Sequence, residues 1–558
     1  MAKYKRYIII SAIIFLIVRC ASQLPPGGGE IDTVPPEITE IYPASGTTNF
    51  NDDYFELSFS EYVDKRSVQE AVFISPKIEG EIEYSWTGKT LTINFKRDSL
   101  KANTTYSVTI GTDVKDLNNS NRMANAYNFA FSTGEEIDKG VITGVVHYKD
   151  PSGILIFAYL ISGKDIDPSI QKPDYLSQIG EDGRFTLLGL KHGKYLIYAV
   201  RDDFRDLLYN MEQDFYGAPS NIISLSEKDT LYENLNFMLT KEDTTKPSLS
   251  NATMTDANHL LLEFNENIDS TKISGESFFI FDSTQNRKIP ILYVFKGKTK
   301  DRQIFASFSD TLSTSSDNYL ISQNIPDLFG NISNLETTQI VVSTKIDTLF
   351  PSIARVETGL EERASFYDNS KLIFLFDDGF PMDALKEGIS FMDKKENSIP
   401  FEFSKIDDAS FSLETKKLKP STDYSIQINL KLIKDAAGNA VDSIYTYAFK
   451  TVSDLYFSGI YGKIFSADSA SKKYFVLENT ETKEIKYSGK ADLQNNYELH
   501  QVIPGKYILW AFNDNDNNGK YSHGKIKPFQ PSEKFAFYPD TLQFKARWPL
   551  EDVFIEIR

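Results

Sequence analysis

The chain has 558 residues, a formal net charge of −18, 41% hydrophobic and 13% aromatic residues, and a single cysteine. This length exceeds what one hydrophobic core can organise and predicts about four or five domains, while the hydrophobic content argues against a disordered chain. One cysteine excludes a disulfide framework, and the acidic balance argues against nucleic acid as a partner.

The first twenty residues have the layout of a secretory signal. A basic start, with Lys3, Lys5 and Arg6, precedes an apolar run over residues 7–18 that is too short to span a membrane. Cys20 behind this run resembles the lipobox of bacterial lipoproteins, although Arg19 replaces the usual small residue. The resemblance implies a signal peptide at 1–19 and lipid attachment at Cys20. The alternatives are an incidental free thiol and a short uncleaved anchor.

Residues 20–36 are predicted to be a flexible tether, because the run Pro25-Pro26-Gly27-Gly28-Gly29 propagates neither helix nor strand. From residue 37, apolar residues alternate with polar ones, as in the stretch 55–59. Alternation is typical of strands with one buried face. Short strands of this kind, separated by turns, predict a β-sandwich over residues 37–134.

The same pattern recurs over residues 245–345 and 348–452. Each copy has an early strand that ends in Phe before an acidic turn, and a late Tyr-bearing strand that leads to an Asp-rich turn. The early strands end in Phe59, Phe264 and Phe376; the late strands contain Tyr106, Tyr319 and Tyr424; and the late turns contain Asp116, Asp327 and Asp435.

This layout resembles the bacterial Ig-like domains first associated with S-layer proteins. The resemblance implies three Ig-like sandwiches and no particular activity. The carboxylates of the acidic turns have two interpretations. They are metal or catalytic groups, or, as we expect, they accept hydrogen bonds from the backbone of their own turns.

A different unit spans residues 139–240 and recurs at 455–558, with an ungapped central match at an offset of 312 residues. Gly193-Lys194-Tyr195 falls on Gly505-Lys506-Tyr507. A tight Gly turn leading into an alternating strand resembles the transthyretin-like or carboxypeptidase-regulatory-like sandwich, which implies a spacer or accessory module. The predicted fold class is therefore all-β, a tandem array of five sandwich modules behind a lipoprotein signal and a tether.

One loop of the last unit points to a cation. Asp514, Asp516 and Asn518 alternate ahead of Gly519, as oxygen ligands and a glycine do in an EF-hand-type loop. Lys525 stands where that loop has a glutamate, and the first copy lacks the pattern at 202–206. The interpretations are a calcium-assisted loop and a solvated hairpin held by its own Asn and Asp side chains.

Catalytic patterns are not found in the sequence. The five histidines lie far apart, and neither HExxH nor GxSxG, a P-loop or a dinucleotide fingerprint occurs in a fitting context. We therefore expect a protein that is not an enzyme. Trp86, Trp510 and Trp548 are expected in cores or between modules rather than on a sugar-binding face.

The order of lipid, tether and five modules resembles a family of outer-membrane lipoproteins of the Bacteroidota. The matching features are Pro35-Pro36 at the entrance, Gly505-Lys506-Tyr507, the loop 514–519 and Pro531-Ser532-Glu533. The resemblance implies a lipid-anchored protein on the periplasmic or surface face of the outer membrane. The predicted function is a non-catalytic scaffold or adaptor in an envelope protein complex, such as one for outer-membrane protein assembly or export. The alternative is a surface glycan-binding or adhesion lipoprotein.

Overall fold

The computed structural model describes residues 31–558 except 164, 361 and 483–484. The predicted signal peptide, Cys20 and most of the tether lie outside the described residues. The described residues form two compact units, one that extends to Lys241 and includes Tyr521–Lys534, and one of Glu242–Lys520 with Phe535–Arg558. None of the described helices is both long and apolar enough to cross a bilayer.

The first unit begins with a sandwich of two sheets. Its elements are β1 (Ile38–Tyr42), β2 (Tyr54–Phe59), α1 (Lys65–Ala71), β3 (Val72–Ser75), β4 (Glu83–Thr87), β5 (Thr90–Asn94), β6 (Thr105–Ile110) and β7 (Tyr127–Ser132). One sheet has the order β1-β2-β5-β4 and the other β3-β6-β7. Phe55, Phe129 and Phe131 are fully buried between them, and Asp64 caps α1 by accepting from the backbone N–H groups of Arg66 and Ser67.

A second sandwich of the first unit has a parallel strand pair. Its strands are β8 (Gly140–His147), β9 (Ile154–Leu160), β10 (Tyr175–Gln178), β11 (Arg184–Leu190), β12 (Gly193–Arg201), β13 (Phe215–Gly217), β14 (Ile223–Leu225), β15 (Leu231–Met238) and β16 (Thr240–Lys241). One sheet runs β10-β9-β12-β13-β16, with β14 also on β12, and the other runs β11-β8-β15. Strand β15 is parallel to β8.

The segment Tyr521–Lys534 completes the first unit by packing on this second sandwich. Ile526 is 2% exposed and lies in an apolar cluster with Tyr198. The Tyr216 hydroxyl donates to the Gly524 carbonyl at 2.9 Å, and Lys527 pairs with Asp167 at 2.6 Å. Residues far apart in the chain thus share one core.

The second unit opens with two sandwiches, each of two four-stranded sheets. The first contains β17 (Leu249–Met254), β18 (His259–Phe264), β19 (Phe278–Asp282), β20 (Arg287–Pro290), β21 (Tyr293–Phe295), β22 (Gln303–Ser307), β23 (Asn318–Ser322) and β24 (Glu336–Ile340). The next contains β25 (Ile353–Glu357), β26 (Ala364–Ser365), β27 (Asp368–Phe376), α2 (Met382–Lys386), β28 (Ile389–Asp393), β29 (Glu402–Asp407), β30 (Ser410–Lys417), β31 (Asp423–Asn429) and β32 (Ile444–Thr451). The sheet orders are β17-β18-β22-β21 with β20-β19-β23-β24, and β25-β27-β30-β29 with β26-β32-β31-β28.

The last sandwich has the topology of the second. Its strands are β33 (Ser458–Ser466), β34 (Lys472–Asn479), β35 (Lys486–Lys490), β36 (Asn496–Val502), β37 (Gly505–Asp514), β38 (Phe535–Phe537), β39 (Leu542–Phe544) and β40 (Leu550–Ile557). The three-stranded sheet β36-β33-β40 repeats β11-β8-β15, and the sheet β35-β34-β37-β38, with β39 on β37, repeats β10-β9-β12-β13 with β14. Short 3₁₀ helices lie at Arg97–Ser99, Ser270–Lys272, Gly275–Ser277, Leu430–Leu432 and Asp454–Tyr456.

The two copies also agree in detail. The hydroxyl of Tyr195 donates to the carbonyl of Lys191 at 2.7 Å, and that of Tyr507 donates to the carbonyl of Ile503 at 2.8 Å. Both tyrosines are fully buried. The tyrosine of each Gly-Lys-Tyr run therefore fills the core and also ties the turn before its strand.

The prediction of an all-β tandem array of sandwich modules is confirmed. The late strands of the three copies differ in which face carries the tyrosine. Tyr106 and Tyr424 are core residues, whereas in the middle copy Asn318 is fully buried and Tyr319 faces away from the core. One residue-level expectation is wrong. Trp548 is 72% exposed, because it lies on a turn between strands.

Candidate functional site

The clearest polar constellation occurs once at one end of each of the three predicted Ig-like modules. An aspartate before the first strand meets the acid that follows the strand paired with that first strand, and a residue from a third segment. The three groups are Asp32, Glu61 and Asp116; Asp243, Glu266 and Asp327; and Asp347, Asp378 and His259. Within each group the potential ligand atoms lie within 4.8 Å of one another. Such oxygen-rich groups suit a hard cation such as Ca²⁺.

The late-turn aspartates are already engaged by their own turns. Oδ1 of Asp116 accepts from the backbone N–H groups of Asn119 and Asn121, and Oδ2 accepts from the Asn121 side chain at 2.7 Å. Asp327 makes the same bonds with the backbone of Phe329 and Asn331 and with the Asn331 side chain. These contacts are the turn bonds that we expected from the sequence.

The asparagine of each late turn also fastens the chain that enters the module. The side-chain amides of Asn121, Asn331 and Asn439 donate to the backbone carbonyls of Asp32, Asp243 and Asp347 at 3.0, 3.0 and 3.3 Å. Each Asp–Asn turn is therefore a clasp that holds the entering segment against the module end. Asp32, which the sequence places in the tether, is held in this way.

The third group differs because a histidine from the preceding module enters it. His259, on β18, is 7% exposed. Its Nε2 lies 2.9 Å from Asp378 Oδ1, and its Nδ1 lies 3.0 Å from Asp256 Oδ1. The Asp347 carboxylate is 3.9 Å from Nδ1.

The electrostatics favour a charged imidazole in this group. Burial alone would lower the pKa of His259, but hydrogen bonds to Asp256 and Asp378 and the charges of both carboxylates raise that pKa to about 10. At neutral pH, His259 is thus an imidazolium that donates from both ring nitrogens. Burial and the negative charges of Asp378 and Asp347 raise the pKa of nearby Asp435 against the effect of its bonds from Asn439. The His259 imidazolium therefore supplies a positive charge at this acidic end of the module.

Backbone and apolar contacts join the same two modules, and the Phe295 ring lies 6.5 Å from the His259 ring. Phe295, 2% exposed, belongs to the core cluster of the following module. The Val294 N–H donates to Asp408 Oδ2 at 2.7 Å, and the Lys296 N–H donates to Asp407 Oδ2 at 2.9 Å. The arrangement holds two modules together and contains no nucleophile among these residues.

The loop predicted as a calcium site does bring its three residues together. Asp514 Oδ1 and Oδ2 accept from the backbone N–H groups of Asn518 and Gly519 at 3.1 and 3.2 Å. The Asn518 side chain donates to Asp516 Oδ2 at 2.8 Å. Asp514, Asp516 and Asn518 are thus mutually oriented, and calcium binding by them stays a prediction.

The first copy closes the equivalent loop in the same way without the Asp-Asn pattern. Asp202, at the position of Asp514, accepts from the N–H groups of Asp206 and Leu207 at 3.3 and 2.8 Å. Leu207 has a φ of 62° and Gly519 a φ of 73°, so a left-handed residue closes both loops. The fixed role of the first aspartate is to bind the loop backbone.

The sequence did not identify His259 as a partner of carboxylates on another module. Its partner Asp378 is 119 residues away in the chain, and the spacing carries no periodic signal. The available clue was that the acidic turns recur, which predicts three similar module ends. Cys20, the predicted lipid attachment residue, lies outside the described residues.

Comparisons with known proteins support the Ig-like modules. No curated protein matches the chain. Among solved structures, the N-terminal part of the bacterial S-layer protein SbsC is 11% identical over 37% of this chain and 44% of that chain, with a TM-score of 0.17. The match thus spans less than half the length of that S-layer fragment. The major pilin subunit BcpA of Bacillus cereus is 8% identical over 75% of this chain and 99% of that chain, with a TM-score of 0.14. At these TM-scores neither neighbour informs on activity or partners.

The model of the bacterial Ig-like domain matches residues 32–133 and 361–451, which are two of the three modules predicted to have this fold.

Proposed function

We propose that the protein is a non-catalytic, multi-module scaffold or adaptor of a cell-envelope protein complex, anchored by lipid at Cys20 to the outer membrane. The complex is one that assembles or exports outer-membrane proteins. The supporting observation is that neighbouring modules within each unit share buried, specific contacts. A scaffold needs such contacts because it presents partners at fixed relative positions.

In the first unit the contact lies between the first two sandwiches. The Thr109 and Thr112 hydroxyls donate to the carbonyls of Leu176 and Ile179 at 3.1 and 3.2 Å. The Gln178 side chain packs so closely on Gly111 that a Cβ there would lie 1.9 Å from its Oε1. These buried contacts fix the junction more tightly than a flexible linker would.

In the second unit the His259–Asp378 pair and Phe295 have the same role. The pair requires both modules in one orientation, since Asp378 of one module must face the imidazole that Asp256 orients in the other. The Phe366 and Phe457 rings stack at 5.4 Å where the last module begins. Inter-module geometry is thus specified by side chains at successive junctions.

A crosslinked pull-down from detergent-solubilised membranes tests the proposal. Tagged wild-type protein is compared with Cys20→Ala, which removes the thiol to be acylated, and with Asp378→Asn, which keeps the lipid but weakens one junction. We expect wild type to recover a defined outer-membrane complex, Cys20→Ala to lose it, and Asp378→Asn to change the crosslink pattern. Recovery of wild-type protein alone contradicts the scaffold.

The second candidate function is surface glycan binding or adhesion. One observation favours it: Trp548 is 72% exposed, whereas Trp510 is 6% exposed. An exposed indole on an ordered turn is a surface on which sugar rings pack. Retention on immobilised polysaccharides, with no envelope partner in the pull-down, would select this function over the scaffold.

A further inference from the structure

We propose that the turn Lys545-Ala546-Arg547-Trp548 of the last module is a contact site for a carboxylated polysaccharide. This inference rests on the second candidate function. It names a site and a ligand class for that function.

The turn is held rigidly by backbone bonds. The Arg547 N–H donates to the Phe457 carbonyl at 2.9 Å, and the Trp548 N–H donates to the Lys545 carbonyl at 3.1 Å. The Ser458 hydroxyl donates to the Trp548 carbonyl at 2.6 Å. Arg547 has a φ of 70°, a conformation that costs free energy in a residue with a side chain. The backbone positions from which the side chains of the turn extend are therefore fixed.

The exposed side chains of the turn combine one large ring with two positive charges. Lys545, Arg547 and Trp548 are all exposed. Within the described part of the chain, no carboxylate lies within ion-pair distance of Lys545 or Arg547. Both cations are thus available on a protein whose net charge is −18. The local charge is opposite to that of the whole chain and complements an anionic ligand.

The second module provides an internal comparison. Its β14–β15 turn corresponds to the β39–β40 turn, because Gly193 pairs with Leu225 as Gly505 pairs with Phe544. The corresponding residues are Ser226-Glu227-Lys228-Asp229, and the Ser226 N–H bonds the Asp229 carbonyl at 3.0 Å. In the last module the bond runs the other way, from the Trp548 N–H to the Lys545 carbonyl. A turn at the same place in the module therefore carries a net charge of −1 in one copy and +2 with a tryptophan in the other. The module fold therefore does not require a tryptophan or two cations at this place.

The ligand class follows from the two kinds of group. An indole face packs on the apolar face of a pyranose ring, and an arginine fork binds a carboxylate through two parallel hydrogen bonds. Tyr456, 41% exposed, adjoins Phe457, the residue that accepts from Arg547. A membrane-inserting turn would present several large apolar side chains. This turn presents a single one, Trp548, between Arg547 and Pro549. A polyuronate chain fits better than a lipid surface.

The test measures binding of the purified full-length protein to immobilised polygalacturonate, with neutral dextran and phosphatidylglycerol vesicles as comparison surfaces. The variants are Trp548→Ala, Arg547→Gln, and replacement of residues 545–548 by Ser-Glu-Lys-Asp, the sequence of the matching turn. Lys228→Ala is the control in the other copy. Thermal unfolding checks that each variant is folded.

We expect polygalacturonate binding that falls with added salt, weakens about tenfold or more in Trp548→Ala and in the exchanged turn, and is unchanged in Lys228→Ala. Binding that survives both turn variants overturns the site but leaves the glycan-binding function standing. Turn-dependent binding to the vesicles and not to polygalacturonate overturns the ligand class. Absence of binding to any polysaccharide overturns both the site and the second candidate function.

Discussion

His259 Nε2 lies 2.9 Å from Asp378 Oδ1 across the junction of two successive sandwich modules, and both side chains are largely buried. Removing one partner of a buried charge pair leaves the other charge without compensation, at a cost of about 3 kcal/mol or more. We therefore expect His259→Ala, which leaves Asp378 and Asp256 without their cation, to lower the unfolding free energy of the second unit by about that amount. Asp378→Asn should cost less, because the imidazolium keeps its bond to Asp256. Chemical denaturation of the full chain measures it.

The double variant gives the control for that pair. If the two side chains act on each other, His259→Ala combined with Asp378→Asn costs less than the sum of the single changes. Strict additivity of the two changes would show that the contact does not couple the modules. Asp377→Asn, next to Asp378 but bonded to Ser352, is a matched surface change.

The pH dependence of stability follows from the pKa of His259. That pKa is raised from 6.5 to about 10 in the folded protein. The stabilisation is therefore complete below about pH 6.5 and is lost as pH rises towards 10, since the unfolded chain releases the proton first. Between these values the wild type should lose about 1.4 kcal/mol per pH unit through this residue. Unfolding measured from pH 6 to 10 checks the slope, and His259→Gln should lack this component.

The tyrosines of the late strands test the register found in the structure. The Lys101 and Lys419 N–H groups donate to the hydroxyls of Tyr106 and Tyr424 at 2.8 and 2.9 Å. Tyr106→Phe and Tyr424→Phe should each cost about 1 kcal/mol, because a part-buried N–H loses its acceptor. Tyr319→Phe should have no measurable effect, since that side chain faces away from the core. An equal cost in all three variants would contradict the outward orientation of Tyr319.

The sequence predicted the parts of the fold that depend on local pattern. Period-two alternation identifies strands such as β2, and the offset of 312 residues identifies the duplicated module, because both follow from which face of a strand is buried. The sequence did not predict which face of its strand carries Tyr319, since a one-residue shift leaves the composition unchanged while moving the side chain to the opposite face.

Contacts that depend on tertiary position could not be predicted in this way. His259 meets Asp378 only after two modules have docked. The exposure of Trp548 depends on its turn, and the neighbouring Lys545 and Arg547 are residue types that also occur at buried strand ends. The clasp formed by Asn121 was partly predictable. Its Asp-rich turn is a local motif, whereas its bond to the Asp32 carbonyl is long-range.

The two interpretations of the loop around Asp514, a structural aspartate and a calcium ligand, can be distinguished by mutation. Both Asp514 carboxylate oxygens accept backbone N–H groups, and Asp202 makes the same bonds in the first copy. We therefore expect Asp514→Ala and Asp202→Ala to destabilise their modules by similar amounts, about 1–2 kcal/mol. Asp516→Ala should cost less, because Asp516 is exposed. Thermal unfolding of the three variants, with calcium and with a chelator, provides the comparison. If the loop is closed by its own backbone bonds, the transition temperature is the same in calcium and in chelator. The contrary result is a calcium-dependent rise in the transition temperature that Asp516→Ala abolishes and that is absent from the module containing Asp202. That result would establish the calcium site that the sequence pattern suggested.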